Sequence, residues 1–291
     1  MQQRLDAHQR KPFRLLALDL DGTLVGSDLQ VPRVTGEAIA EFQAARGHVT
    51  IATGRTIRTT VPYAEQLQVD VPLICYQGAL IRDHRTGETL FHQPISGDLA
   101  AEAAALLLDA GIYTHAYVDD ELIVPYEGEE TRYYRTFSPL YIPTTVVDDL
   151  PAYVYDHPPT KLLFISGERE VGRRVSDLQV HFVHRLSVAR SHSVFGELTA
   201  PGSTKGHALA RLAQHLGIPQ PSVAAAGDQG NDVDMVAWAG LGMAVSGGPP
   251  ELLAAADVLI GAPEAGGLGA GIRQYLLGHS SNMPRNPVSP G

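Results

Sequence analysis

The chain has 291 residues, of which 44% are hydrophobic and 19% charged, and its formal net charge is −10. That composition can bury a core and excludes a disordered chain, and the length suits about two domains. An acidic chain without a Lys/Arg run offers nothing to a phosphate backbone, so no nucleic-acid partner is expected.

Cys75 is the single cysteine, so no intrachain disulfide forms and a reducing, cytoplasmic setting is expected. The opening MQQRLDAHQRKPFR lacks the apolar segment of a signal peptide. No apolar stretch approaches the roughly 20 residues of a membrane span, so no membrane partner is expected either.

Residues 1–13 are expected to be flexible. Leu15 to Leu20 then reads as a strand buried on both faces. Val34 to Arg46 has helical spacing and is expected to end at Gly47 as a C-cap. His48 to Ala52 is strand-like and leads through Thr-Gly-Arg into another helix, before the apolar run Leu73 to Tyr76. The region 96–195 differs. It combines a helix at Asp98–Ala110 and a second at Glu168–Leu178 with the strand-like pieces YTHAYV, ELIVPY, KLLFIS and LSVAR. The alternating rhythm then returns: STKGHALARLAQHLG as helix, SVAAA as strand, GNDVDMVAWAG as helix, LGMAV as strand, PPELLAAA as helix and DVLIG as strand. Strands alternating with helices mean a doubly wound parallel sheet, here at 14–95 and 196–278, with an α+β domain inserted at 96–195. GGLGAG, Gly266 to Gly271, does not sit in a first βαβ unit and is read as a loop. The tail 279–291 is rich in Pro, Ser and Asn and is expected to be disordered.

The chemistry concentrates at strand ends, where parallel sheets bind ligands. Asp19 and Asp21 stand two apart on one strand and so share a face. Two carboxylates closing an apolar strand need compensation. A second acidic cluster, Gly227-Asp228-Gln229-Gly230-Asn231-Asp232, follows the run VAAA. The spacing of Asp228 and Asp232 stacks them if a helix begins there. Carboxylates from two strand ends form a hard oxygen site of the kind Mg²⁺ prefers. Thr53 and Lys205 add a hydroxyl and a cation, which suits a phosphoryl group. A helix-start lysine opposes the helix dipole unless an anion lies near. Arg55 is read as a surface residue or one that supports the site's own residues, rather than as a catalytic one. The cap tyrosines are assigned to core packing, with one or two lining a cleft.

In DLDGTL (Asp19 to Leu24), TGR (Thr53 to Arg55), Lys205 of STKGHAL and GDQGND (Gly227 to Asp232), the sequence resembles the haloacid dehalogenase superfamily, specifically its Cof-type phosphatases. The resemblance runs from Arg14 to about Leu277 and implies a Rossmann-like core with an inserted α+β cap. It implies Asp19 as nucleophile and Asp21 as general acid and base. It implies Asp19, the backbone carbonyl of Asp21 and Asp228 as Mg²⁺ ligands, with Asp232 fixing the metal's water shell or orienting Lys205. Thr53 and Gly54, with Lys205 and Asn231, are implied to bind phosphate. Two positions depart from the family pattern: Gln77-Gly78, where relatives often carry Asn-Gly, and Ser246-Gly247-Gly248, where they often carry Gly-Asn-Ala. The function so implied is Mg²⁺-dependent hydrolysis of small phosphorylated metabolites, such as sugar phosphates or phosphorylated cofactors. The alternatives are a phosphomutase or phosphotransferase on the same core, or a non-enzymatic ligand-binding module.

Overall fold

The structure is a computed structural model describing residues 12–136 and 142–279. The segments expected to be flexible or disordered, 1–13 and 279–291, lie outside the described residues except at Pro12, Phe13 and His279. In chain order, β1 (Leu15–Leu18), α1 (Arg33–Ala44), β2 (His48–Ile51) and α2 (Ile57–Gln66) lead to the antiparallel set β3 (Leu73–Cys75), β4 (Leu80–Arg82) and β5 (Thr89–His92). Then come α3 (Gly97–Asp109), β6 (Thr114–Val118), β7 (Glu121–Val124), α4 (Glu129–Thr136), β8 (Thr144–Val146) and α5 (Leu150–Asp156). They are followed by β9 (Lys161–Ile165), α6 (Val171–His181), β10 (Ser187–Arg190) and β11 (Phe195–Thr199). The chain returns through α7 (Lys205–His215), β12 (Val223–Gly227), α8 (Val233–Trp238), β13 (Leu241–Val245), α9 (Pro250–Ala255), β14 (Val258–Ile260) and α10 (Gly267–Gly271).

Strands β14-β13-β12-β1-β2 form one all-parallel sheet. Every residue of β1, β12 and β13 is buried, as a sheet covered by helices on both faces requires. Alternate residues of β1 serve the two faces. Leu16 and Leu18 pack with Ile39 and Phe42 of α1, while Leu15 and Ala17 pack with Leu209 and Leu212 of α7. A single Ala52–Ile74 bridge extends the layer toward β3. The expected doubly wound parallel core is present. Among the described residues, no helix is long and apolar enough to cross a membrane.

The second sheet has the order β10-β11-β9-β6-β7-β8 and is antiparallel except for the β7–β8 pair. Helices α3, α5 and α6 cover one face, where Ala116, Leu162, Phe164 and Leu198 pack. The alternate residues face the parallel-sheet core, and Tyr117, Leu163 and Phe195 share an apolar cluster with Tyr76. Lys161, Glu197 and His115 lie on this same side of the sheet.

Three expectations need correction. The first helix ends at Ala44, and the left-handed residue after it is Arg46, at φ +67°, not Gly47. GGLGAG is not a loop: Gly267–Gly271 is α10, packed against α1 and β14. A Cβ on Gly267 would stand 2.0 Å from the carbonyl oxygen of Gly261, so the glycines are there for close backbone approach rather than for a turn. The boundary drawn at residues 195 and 196 falls inside β11, all five residues of which pair with β9 in the six-stranded sheet. The β4–β5 hairpin and the short α4, α5 and β8 were not anticipated, because each is too brief for its periodicity to show.

His115 is fully buried in this sheet, and neither ring nitrogen has a hydrogen-bond partner. Its ring centroid lies 5.8, 5.5 and 4.6 Å from those of Tyr113, Tyr117 and Tyr134. Burial, with Lys161 adding to it, pushes its pKa down to about 3. Between that value and the unfolded value of about 6.5, the unfolded chain binds a proton that the folded chain refuses. This part of the stability is therefore complete above pH ~6.5 and is lost as the pH falls toward 3, by up to about 1.4 kcal/mol per pH unit. His115→Phe should flatten the fall in denaturant-derived stability between pH 7 and 5 relative to the native chain, and identical slopes would refute this assignment.

Candidate active site

The register of the parallel sheet assembles the site. Leu18 pairs with Ala226 on one side and Ile51 on the other. Asp19 therefore emerges between Gly227 and Ala52, with Asp228 and Thr53 one residue further along their own strands. The Asp19 N–H still donates to the Ala226 carbonyl at 3.0 Å, which holds the strand end in line. Gly22, at φ +88°, then turns the chain so closely past β12 that a Cβ there would stand 2.2 Å from Asp228 Oδ2. Thr23, a residue the sequence reading passed over, donates its hydroxyl to Asp228 Oδ1 at 3.1 Å.

Lys205 opens α7 and is fully buried. Its Nζ donates to Asp19 Oδ1 and to Asp232 Oδ1, each at 2.6 Å. Asp232 does not simply stack on Asp228 across a helical turn. Gly230–Asp232 is a short 3₁₀ turn, and Asp232 Oδ2 accepts the backbone N–H groups of Asp228 and Gln229 at 3.1 and 3.0 Å. Both oxygens of Asp232 are thus engaged in holding Lys205 and the Asp228 loop.

Ligand oxygens of Asp19, Asp228 and Asp232 lie within 4.8 Å of one another. Burial raises the Asp19 carboxyl well above its usual range, and Asp232 adds to this while Lys205 opposes it. Burial also raises Asp228. Burial alone would lower Lys205, but Asp19 and Asp232 outweigh it and keep the ammonium charged. Three carboxylates against one ammonium leave an excess of two negative charges, carried on hard oxygen donors. A divalent cation of the Mg²⁺ class fits that charge and donor set. Asp19, Asp228 and Asp232 are the carboxylates close enough together to hold it.

The remaining predicted residues ring this cluster. The Asp21 side chain is half exposed and pairs with Arg55, whose Nε donates to Asp21 Oδ2 at 2.8 Å while Nη2 reaches Oδ1. Of the two places expected for Arg55, surface or support of the site, the structure therefore shows the second. Thr53 is buried, and its hydroxyl accepts the Arg55 N–H at 3.1 Å. The Gly54 carbonyl accepts from Lys161 Nζ at 3.0 Å. Asn231 Nδ2 donates to Gln77 Oε1 at 2.9 Å. Gln77 Nε2 in turn donates to Glu197 Oε2 at 3.3 Å, and Lys161 pairs with Glu197 Oε1 at 2.9 Å. Of the second departing stretch, Gly248 lies against the Asp228 carbonyl, whereas Gly247 borders open space. Lys161 and Glu197 are the polar residues that sequence reasoning missed; Gln77 was noted only as a departure from the family pattern, and Arg55 was not assigned to Asp21.

A small cavity of about 50 Å³ lies beside this network, lined by Arg55, Thr56, Thr59, Tyr117, Tyr134 and Lys161. A wider hollow of about 470 Å³, at Arg14, His48 and Asp70, lies at the opposite ends of β1 and β2 and holds none of the clustered groups. Size alone would therefore mislocate the site.

Gly22→Ala tests the link between turn and cluster. The Cβ must displace Asp228, and the left-handed backbone adds about 1–2 kcal/mol of strain. Divalent-cation affinity by titration calorimetry should fall at least about tenfold, and unchanged affinity would remove Asp228 from the metal site.

The sequence profile of the haloacid dehalogenase-like hydrolases matches residues 16–272. The HMP-PP phosphatase of Serratia proteamaculans is 29% identical over 244 residues, covering 82% of this chain and 86% of that protein. The 5-amino-6-(5-phospho-D-ribitylamino)uracil phosphatase YitU of Bacillus subtilis is 25% identical over 277 residues, covering 92% and 99%. The crystal structure of a haloacid dehalogenase-like hydrolase from Bacteroides thetaiotaomicron superposes with a TM-score of 0.80 at 21% identity, covering 90% of this chain and 99% of that one. The fold, the clustered strand-end carboxylates and the profile agree: the chain belongs to the haloacid dehalogenase-like hydrolases.

Proposed function

We propose that the chain is a Mg²⁺-dependent phosphatase of small phosphorylated metabolites that works through an aspartyl phosphate at Asp19. The observation that carries this reading is the buried Asp19, held by Lys205 at the end of β1 beside Asp228. The names of the two phosphatase relatives, each with a small phosphorylated compound as substrate, support the same class.

The residues divide the work. An Asp19 oxygen attacks phosphorus, forming a new P–O bond as the bond to the leaving oxygen breaks. Asp21, at the open edge of the cluster, gives that oxygen a proton. It then takes one from the water that cleaves the aspartyl phosphate, which releases phosphate and restores Asp19. Arg55 fixes the Asp21 side chain for both transfers. Lys205, the Thr53–Gly54 turn and Asn231 orient and neutralise the phosphoryl oxygens. Asp19, Asp228 and the Asp21 carbonyl would hold a Mg²⁺ ion, which would add charge neutralisation when bound. Asp232 keeps Lys205 in place.

Phosphate release from a panel of phosphorylated metabolites should require Mg²⁺ and stop reversibly with EDTA. Asp19→Asn should abolish turnover while leaving the circular dichroism spectrum unchanged. Asp21→Asn should slow turnover by about 10²–10⁴-fold. Full activity in Asp19→Asn, or a rate indifferent to EDTA, overturns the proposal.

A further inference from the structure

Side chains from four separate parts of the fold form one unbroken chain of hydrogen bonds. Lys161, at the start of β9, donates to Glu197 Oε1 of β11 at 2.9 Å, and both side chains are almost fully buried. Gln77 Nε2 donates to Glu197 Oε2 at 3.3 Å, and Gln77 Oε1 accepts from Asn231 Nδ2 at 2.9 Å. The chain therefore runs from the six-stranded sheet, through Gln77, to the loop that carries Asp228 and Asp232. A buried ion pair is weak evidence for stability, because desolvation offsets its attraction. This one does something else: it fixes directions.

An ammonium only donates, and a carboxylate only accepts. Glu197, held by Lys161, admits Gln77 only by its amino end, which leaves the Gln77 carbonyl for Asn231. Asn231 must then meet Gln77 with its own amino end. Two carboxamides on their own satisfy each other either way round, so the charge on Glu197 is what removes the choice. Gln77 also lies against the Thr53–Gly54 turn, since a Cβ on Gly54 would stand 2.4 Å from Gln77 Nε2. Lys161 holds the carbonyl of the same Gly54 at 3.0 Å. The amino end of Asn231 is thus the end turned toward that turn, and among the described residues its second N–H has no partner. Phosphoryl oxygens carry negative charge, so an N–H helps to hold them and a carbonyl oxygen repels them.

Resting on the phosphatase reading above, we propose that Lys161, Glu197 and Gln77 are positioning residues that together set the Asn231 amide, so that it offers an N–H and not a carbonyl oxygen to the phosphoryl group. Two readouts test this. One is the inhibition constant of inorganic phosphate against p-nitrophenyl phosphate hydrolysis with Mg²⁺. The other is the pair of side-chain amide signals of Asn231 in ¹⁵N-labelled protein, identified by their loss in Asn231→Ala. Gln77→Met keeps the side chain's length and removes both of its hydrogen bonds, and it should raise the phosphate inhibition constant at least about fivefold. Asn231→Ala should raise it by as much or more. Because Gln77 acts through Asn231, the double variant should bind phosphate no more weakly than Asn231→Ala alone, whereas a general loosening of the fold adds the two effects. Glu197→Gln frees the Gln77 amide to turn over and should couple to Asn231→Ala in the same way, which carries the cycle if Gln77→Met does not fold. In the native chain, phosphate with Mg²⁺ should shift the Asn231 amide signals, a result that needs no variant of the relay. Additive effects, a native inhibition constant in the folded variants, or Asn231 signals indifferent to phosphate overturn the positioning assignment, while turnover by the native chain keeps the phosphatase reading. Absence of native turnover on every phosphate ester overturns both.

Discussion

Three carboxylates drawn together at the carboxyl edge of a parallel sheet set the terms for the rest of the molecule. Asp19 comes from β1, Asp228 and Asp232 from the loop after β12, and in-register pairing leaves them no choice but to converge. Their mutual repulsion in a buried setting must be met, and Lys205 meets part of it. Lys205 sits at the start of α7, where the helix dipole disfavours a cation. The two aspartates offset that cost, and α7 is held both by this contact and by its apolar face. The remaining charge excess suits a divalent cation, and binding of one would stabilise the folded state by mass action.

The six-stranded sheet answers that cluster with its own polar face. One side is covered by helices and reads as an ordinary apolar core. The other carries Lys161, Glu197, His115 and Tyr117 toward the parallel sheet, and two sets of contacts hold it there. Asp120, in the β6–β7 turn, accepts from the Tyr76 hydroxyl at 2.6 Å and from Arg82 Nη1 at 3.0 Å. Glu197 and Lys161 reach Gln77 and the Gly54 carbonyl. These polar contacts flank the apolar cluster that Tyr117, Leu163 and Phe195 form with Tyr76, so the two sheets meet through both kinds of contact.

What could be read from the sequence follows from how local each feature is. Asp19 and Asp228 announce themselves because a charged residue at the end of an apolar run is itself anomalous, and Lys205 because a lysine at a helix start opposes the helix dipole. The parallel core is legible because its buried strands are short apolar runs between clear helices. Arg55 was left between a surface and a supporting place because what decides it is its reach to Asp21, 34 positions away. Lys161 begins an apolar strand, KLLFI, and Glu197 sits inside another, FGELT. Each alone resembles a strand-edge charge, and only the antiparallel pairing of β9 with β11 brings them together. GGLGAG misled for the opposite reason: six residues with four glycines suggest a turn, yet here glycine serves helix packing against the backbone of Gly261 and Val34.

The Gln77 position shows how the two halves of the site are joined. Tyr76 and Gln77 are both left-handed, at φ +52° and +57°, a conformation that costs non-glycine residues about 1–3 kcal/mol each. Backbone bonds hold them in it: Tyr76 N–H donates to the Arg55 carbonyl and Gln77 N–H to the Thr53 carbonyl, both at 3.0 Å. The turn that carries Thr53, Gly54 and Arg55 is therefore braced by the strained turn that carries Gln77. From there the Gln77 amide spans Asn231 on one side and Glu197 on the other. An asparagine, one methylene shorter, cannot make both contacts from the same backbone position. The longer side chain turns a local phosphate-side residue into a tie between the acidic loop and the cover. Strain at Tyr76 and Gln77 is thus concentrated where the loop of Asp228, the turn of Thr53 and the ion pair of the second sheet must keep a common geometry.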